Sequence, residues 1–308
     1  MNKIILVTGG TGFIGANLVR FLINNGDRVN ILVRKGGSLW RIQDIRDKVI
    51  IHESPLLDYK MLSTLLKKIS PQWIFHLATY GSYPSQQDLK QMLEVNTDGT
   101  ANLLLSTLNI PYESLVVTGS SSEYGKKDKP MNEYDYLDPN NFYAATKASQ
   151  THLCTTFSSV HHKPVAILRL FSVYGAFEEK GRLVRSVIES AIQNKPILLS
   201  TGKEARDFIY VEDVVDALIS TAKLTHKRKG EIINIGSGTQ YTTKDLVEMV
   251  TKLSNSKSRI ILGAYPGRPW DVTKWVADTG KATSLLNWKP RYNLEEGLKK
   301  TIAWYRNQ

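Results

Sequence analysis

Thr8-Gly9-Gly10-Thr11-Gly12-Phe13-Ile14-Gly15 follows the apolar run Ile4-Ile5-Leu6-Val7 directly and opens an amphipathic stretch. Strand, glycines and helix in that order leave few folds open to the chain. Glycines permit a tight turn and a close backbone approach, and the helix beyond presents free N–H groups and the positive end of its dipole. A loop of this kind receives a pyrophosphate, so the spacing predicts a dinucleotide-binding βαβ unit.

The pattern downstream agrees. Residues 4–7, 29–33, 49–51, 73–77, 115–118 and 165–170 read as buried strands, and 13–25, 56–69, 89–108 and 143–160 have helical spacing, with Gly26 as a helix C-cap. Alternation of this kind argues for an α/β fold with a Rossmann-type, doubly wound parallel sheet covered on both faces. The second half is less regular. Residues 183–193, 211–222, 243–253 and 294–305 read as helices, the third capped by Thr242 or Thr243, and 197–199 and 232–235 as strands. The expected division is a dinucleotide-binding domain over 1–172, with 206–236 returning to it, and a smaller α/β substrate lobe over 173–308.

Composition narrows the function classes. With 308 residues, 42% hydrophobic and 22% charged, the chain can bury a sizeable core. No apolar run approaches the roughly 20 residues needed to cross a bilayer. The opening apolar stretch is too short for a signal peptide, and the single Cys154 has no intrachain partner, so a cytoplasmic protein is expected. Forty Lys and Arg against 29 Asp and Glu give a net charge of +11. The cations are dispersed, with Lys126-Lys127 and Lys227-Arg228-Lys229 the short clusters, which points to anionic metabolites rather than nucleic acid. With one Cys and no paired His/Asp spacing, no metal site is expected.

The second strand ends Ile31-Leu32-Val33 and continues Arg34-Lys35-Gly36-Gly37-Ser38. An acidic residue there would bind the adenosine ribose of NAD, whereas an Arg accommodates a 2′-phosphate. Asp27 lies before the strand, so Arg34, Lys35 and Ser38 favour NADP(H) over NAD(H).

Tyr143-Ala144-Ala145-Thr146-Lys147 puts a phenol and an ammonium one helical turn apart on one face. A phenol titrates near pH 10, too high for proton exchange at neutrality, and a neighbouring cation favours its ionised form. Upstream, Thr118-Gly119-Ser120-Ser121-Ser122-Glu123-Tyr124-Gly125 ends a buried strand, where a hydroxyl can hold a carbonyl or alcohol oxygen.

With these motifs the sequence resembles the extended short-chain dehydrogenase/reductases of the nucleotide-sugar epimerase, dehydratase and reductase branch. The likeness also runs through His76-Leu77-Ala78-Thr79, Val95 to Thr100, Leu168 to Gly175, Arg206 to Asp213, Asn234 to Gly238, Arg268-Pro269-Trp270-Asp271 and Asn287 to Pro290. It implies Ser120, Tyr143 and Lys147 as the catalytic group, with Tyr143 exchanging the proton and Lys147 binding the nicotinamide ribose. It implies cofactor contacts from Gly9, Thr11, Gly12, Phe13, Ile14, Leu77, Ala78, Thr79, Leu170 and Val173. A nucleotide-diphosphate sugar would touch Ser120, Ser121, Tyr143, Ser172, Arg182, Leu183, Arg206 and Arg268, with Arg206 and Arg268 clamping the diphosphate. Three positions depart from the pattern. Ser172 replaces a frequent asparagine, Pro55 replaces an adenine-binding aspartate with Asp58 surviving, and Trp270 replaces a frequent glycine. Relatives pair helices like 95–108 and 143–160, which implies a homodimer through a four-helix contact.

Several residues have plain alternatives. His76 reads as a structural histidine, His161-His162 as a helix end and Cys154 as a small core residue. Glu123 either bonds a sugar hydroxyl or faces solvent, and Tyr80, Tyr83 and Trp270 either stack on the ligand or pack.

The expected reaction is NADPH-dependent reduction of a nucleotide-linked 4-keto-6-deoxy sugar, a step of deoxysugar and O-antigen biosynthesis. The stretch from Leu32 to Arg41 is similar to that of reductases such as CDP-abequose synthase. The alternative is a 4-epimerase that retains NAD. A dehydratase is disfavoured because Ser121-Ser122 stand where such enzymes carry an Asp-Glu pair, and retention of Ser120, Tyr143 and Lys147 argues against a protein that only binds cofactor.

Overall fold

A computed structural model describes residues 2–83, 85–266 and 272–308. In chain order the strands are β1 (Ile4–Thr8), β2 (Arg28–Val33), β3 (Ile50–Glu53), β4 (Trp73–His76), β5 (Ser114–Ser120), β6 (Val165–Leu170), β7 (Ser172–Tyr174), β8 (Ile197–Leu198), β9 (Ala205–Tyr210), β10 (Glu231–Ile235), β11 (Gln240–Thr242) and β12 (Ile260–Ile261). The α-helices are α1 (Phe13–Asn24), α2 (Tyr59–Ile69), α3 (Leu89–Met92), α4 (Gly99–Ser106), α5 (Phe142–His161), α6 (Leu183–Ile192), α7 (Val211–Leu224), α8 (Thr243–Leu253), α9 (Gly280–Leu286) and α10 (Leu294–Arg306). The chain divides into two compact units. The first gathers 1–125, 137–169 and 215–233, and the second 126–136, 170–214 and 234–308.

The first unit is built on a seven-stranded parallel sheet in the order β10-β6-β5-β4-β1-β2-β3. Chain order reverses between β1 and β4, the switch point at which open α/β sheets receive ligands beyond the carboxyl ends of their strands. Apolar residues run through β1, β4, β5 and β6 without polar alternation because both faces are covered. Leu6, Ile74, Leu115, Val117, Val165 and Ile167 pack on Leu62 and Leu66 of α2, Leu103 and Leu104 of α4, and Cys154 and Phe157 of α5. Gly26 follows the end of α1 with φ 81°, and Asp27 N–H returns to Leu22 O at 3.0 Å, a left-handed helix stop.

Two helices differ from the sequence pattern. Residues 56–69 suggest helix throughout, but α2 starts only after Asp58, whose carboxylate accepts from Met61 N at 2.9 Å. Asp58 is thus a helix cap here, and the turn of Pro55 to Leu57 precedes it. The expected helix over 89–108 is divided: α3, a π-helical turn over Leu93–Asp98, then α4.

In the second unit β9 pairs β7 in parallel and β11 antiparallel, and β12 pairs β8 in parallel. Buried Asp207 on β9 accepts from Ser237 N (2.6 Å), Ser237 Oγ (2.6 Å), Gly238 N (3.0 Å) and Ala277 N (3.0 Å), pinning the Gly236 to Gly238 turn. Thr242 caps α8 in a reciprocal box with Asp245, and Asn293 caps α10 likewise with Glu296. Among the described residues no helix is long and apolar enough to cross a membrane.

Candidate active site

The glycine loop sits on the carboxyl end of β1, beside the switch point. Gly9 has φ 71°, and a Cβ there would stand 2.6 Å from Ala78 N and from Leu77 C, so the loop backbone lies directly on the Leu77-Ala78 segment beyond β4. Ala78 N donates to Thr8 Oγ1 (3.3 Å), tying the two strand ends together. A Cβ at Gly15 would come within 2.1 Å of Gly9 O, so the first turn of α1 is pressed against the loop. Gly12 is the N-cap of α1, and no described side chain caps that helix. The cradle that side chains would fill, and a helix start without a capping side chain, fit a dinucleotide pyrophosphate. Gly9, Thr11, Gly12, Phe13, Ile14, Leu77 and Ala78 all border this cradle or belong to its loop, and Thr79 Oγ1 donates to Asn96 Oδ1 (3.1 Å).

At the adenosine end, Arg34, Lys35 and Ser38 are exposed in a turn after β2 that closes with Gly37 N to Arg34 O (2.9 Å). Two residues escape a reading of β2 alone. Glu53 ends β3 in register with Val33 and places an exposed carboxylate at the same sheet edge. Arg41, 6% exposed, reaches the glycine loop and donates from Nη1 to Thr11 O at 3.5 Å.

Ser120, Tyr143 and Lys147 all belong to the first unit. Ser120 closes β5; its Oγ lies 2.7 Å from Ser122 Oγ and accepts from Ser122 N at 3.2 Å. Asn141 caps α5 through Ala144 N (2.9 Å), so the helix opens one residue before the half-buried Tyr143. Lys147, one turn on, is 1% exposed and donates to Thr118 O (2.5 Å) and to Gln150 Oε1. Burial pushes its ammonium down to about 8, while the Glu123 carboxylate acts in the opposite sense.

Residues that sequence reading did not single out support this group. Gln150 Nε2 donates to Thr100 Oγ1 (2.7 Å), and Thr100 Oγ1 donates to Asn96 O (2.7 Å). His76 lies between Thr8 Oγ1 (2.7 Å) and Thr100 Oγ1 (2.9 Å), and burial followed by the Lys147 charge drives it down to about 3. It is a neutral structural histidine, as expected. Asn96, in the π-helical turn, donates to Tyr80 O (2.8 Å) and Thr146 Oγ1 (3.0 Å) and accepts from Tyr80 N (2.9 Å). Cys154 is buried in the core, its thiol pushed up to about 12 by burial.

Glu123 corrects both expectations for it. It is fully buried, and it accepts from Ser120 N at 2.7 Å, Thr151 Oγ1 at 2.8 Å and Arg169 Nε at 2.8 Å. It faces neither solvent nor a sugar hydroxyl, because a buried carboxylate requires charge and hydrogen-bond partners and Arg169 supplies the charge.

The remaining candidates other than Ser121 belong to the second unit. Leu170 ends β6, and Ser172 and Val173 start β7. Arg182 is the N-cap of α6 with Nε 3.8 Å from Glu178 Oε1, and Leu183 begins that helix. Arg206 on β9 lies over the Trp275 ring at 5.4 Å and donates to Ala205 O at 2.7 Å. Ser121, in the first unit, is buried beside Ser120. Arg268 and Trp270 lie outside the described residues. Among the described residues no group of three His, Cys, Asp or Glu is placed to hold a metal ion.

A parallel sheet with this strand order, a glycine cradle, and a serine on β5 with a Tyr-Lys pair on α5 of the same unit define a nucleotide-cofactor oxidoreductase architecture. The chain belongs to the NAD dependent epimerase/dehydratase family, whose pattern it matches over residues 5–236, and is an NAD(P)-dependent enzyme of that family. It is 30% identical to the UDP-N-acetyl-alpha-D-glucosaminuronate decarboxylase of Bacillus cytotoxicus, over 99% of this chain and 98% of that protein. It is similar in structure to the UDP-glucose 4-epimerase of Thermotoga maritima bound to UDP-glucose: TM-score 0.90, 27% identity, 100% and 99% of the chains covered. It is likewise similar to the UDP-glucuronic acid 4-epimerase of Bacillus cereus in complex with UDP-glucuronic acid and NAD: TM-score 0.89, 27% identity, 98% and 99% covered.

Proposed function

We propose that the protein is a nucleotide-sugar 4-epimerase that oxidises C4 transiently and reduces it from the opposite face. The observation that carries this reading is the placement of Ser120, Tyr143 and Lys147 on β5 and α5 of the unit that holds the glycine cradle. Bound NAD supplies a hydride acceptor that gives the hydride back. Tyr143 takes the C4 hydroxyl proton and later returns it, and the Lys147 cation favours the ionised phenol that can do so. Ser120 Oγ, accepting from Ser122 N and from Ser122 Oγ in the arrangement that serves the reaction, turns its own proton to the C4 oxygen. Arg206 and Arg268 are assigned to the substrate diphosphate, where planar guanidinium groups suit phosphate oxygens. Ser121 and Ser122 follow Ser120 with hydroxyls rather than carboxylates, which supports epimerisation over dehydration. The similarity to two 4-epimerases, one of them carrying NAD, supports this choice of reaction and cofactor.

A second reading, reduction of a 4-keto-6-deoxy sugar nucleotide by NADPH, is favoured by Arg34 and Lys35 after β2. The two are separated by one assay. Purified protein is incubated with UDP-glucuronic acid or UDP-glucose and the C4 epimer is followed, in parallel with NADPH oxidation in the presence of 4-keto-6-deoxy sugar nucleotides. Interconversion of C4 epimers without net cofactor consumption is expected; stoichiometric NADPH oxidation without epimerisation overturns the reading in favour of the reductase.

We also propose a homodimer formed through α3 to α5. Leu89, Leu93, Leu105, Phe142 and Val160 of these helices are exposed apolar residues, the kind of surface that pairs with a second copy.

A further inference from the structure

We propose that Glu123 is the positioning residue of this active site, a single buried carboxylate that fixes Ser120 and holds Lys147 in its cationic form. The inference rests on the reading of Ser120, Tyr143 and Lys147 given above. The two oxygens of Glu123 are divided between two tasks. Oε1 accepts from Ser120 N at 2.7 Å while Ser120 Oγ accepts from Ser122 N at 3.2 Å, a reciprocal box that sets the backbone and the side chain of the serine together. Oε2 accepts from Thr151 Oγ1 and from Arg169 Nε, both at 2.8 Å. Arg169 Nη1 donates in turn to Tyr124 Oη at 2.9 Å. A Cβ at Gly119 would lie 2.7 Å from Oε1, so the carboxylate rests directly on the end of β5. It is held from the turn that bears it, from α5 and from β6, and is not free to follow solvent.

The charges around Lys147 give the second task its weight. From β4 comes neutral His76, from its own helix the Cys154 thiol and from the turn after β5 the Glu123 anion, itself paired with the Arg169 cation of β6. Lys147 Nζ donates to Thr118 O at the end of β5, next to the Gly119 on which Glu123 rests, and Glu123 accepts from Thr151 Oγ1 one turn further along α5. Desolvation weakens the lysine charge, and Glu123 is the larger of the two neighbours that act against that loss, ahead of Cys154. A lysine that gave up its proton in the working range would cease to favour the ionised Tyr143. A purely structural Glu123 would only neutralise Arg169, and it would leave the proton of Lys147 indifferent to its charge.

Glu123→Gln separates these cases, since it keeps the shape and an acceptor for Ser120 N but removes the charge. In a pH series of turnover, the variant is expected to stay within about threefold of the parent near pH 6 and to fall about fivefold below it near pH 8, as the alkaline limb moves down by about one unit. The KM for the nucleotide sugar and the Kd for NAD stay within about twofold. An alkaline limb at the parental pH, with only thermal stability reduced, overturns the proposal. Removing one partner of a buried pair can prevent folding, so Glu123→Asp provides the second arm. It retains the charge but withdraws Oε1 from Ser120 N, and kcat is expected to fall about tenfold with the limb in place. Unchanged kcat in that variant overturns the proposal. Parental turnover in Tyr143→Phe would instead overturn the reading of the active site itself, independently of either Glu123 variant.

Discussion

Lys147 and Glu178 are buried ionisable groups handled in opposite ways. Lys147 is pushed down to about 8 but donates to Thr118 O and Gln150 Oε1, whereas Glu178 is 2% exposed, its Oε2 has no hydrogen-bond partner among the described residues, and burial pushes its carboxyl up to about 8 despite the nearby Arg182. Because the folded protein holds that proton more tightly than the unfolded chain, whose value is 4.5, Glu178 erodes stability as pH rises from about 4.5 through 8. Glu178→Gln is therefore expected to melt a few degrees above the parent near pH 8.5 and level with it near pH 4. Coincident melting curves at both pH values would refute the assignment. At the catalytic group, Tyr143→Phe is expected to lower turnover by about 10² to 10⁴ while NAD affinity measured by calorimetry stays unchanged. The chemical residues at this scale were legible because they keep fixed spacing along the chain. The roles of Glu123, Gln150 and Thr100 were not, since Thr151 and Arg169 for Glu123, and Thr100 for Gln150, lie dozens of residues away and no local pattern announces a buried pair.

At the scale of the element, the glycine cradle and the caps carry the predictions. Gly15→Ala places a methyl on the Gly9 carbonyl and should abolish NAD binding or unfold α1; a variant with parental affinity would show that the loop has room. Asn293→Ala removes the side-chain half of the α10 box, the acceptor of Glu296 N, and should cost about 1 kcal/mol in denaturant unfolding. Strands and helices of the first unit were readable from periodicity, because both faces of a covered parallel sheet must be apolar. The π-helical turn at Leu93–Asp98 was not, for its residues keep an ordinary helical pattern. What distinguishes it is Asn96, whose side chain is drawn to the Tyr80 backbone and to Thr146 across the unit. The late start of α2 had a readable signal in Asp58, an N-cap residue three positions before Met61.

For the whole molecule, the proposed dimer gives a direct measurement. Light scattering is expected to return twice the 34.7 kDa chain mass, and Leu93→Glu with Phe142→Glu should halve it. A monomeric parent would remove the proposal. The adenosine end tests the cofactor in the same way: Arg34→Ala should leave NAD affinity within about threefold if NAD is the resident cofactor, and a loss confined to NADPH would restore the reductase reading. The doubly wound parallel sheet was foreseeable from the alternation of elements. The interleaving of the two units was only partly so, because segments such as 126–136 and 215–233 carry no compositional mark of the unit they join.

That interleaving has a practical consequence. Each unit is stitched from three separated stretches, so the backbone passes from one to the other at 125/126, 136/137, 169/170, 214/215 and 233/234. Neither can be excised as a cassette, and no single cut yields an intact half. A clone ending at residue 172 would lack the last strand of the large sheet, β10, and leave β6 as a raw edge, where another chain could add itself. Exchanging substrate preference between such enzymes by grafting thus has to proceed through scattered side chains rather than by transplanting a lobe.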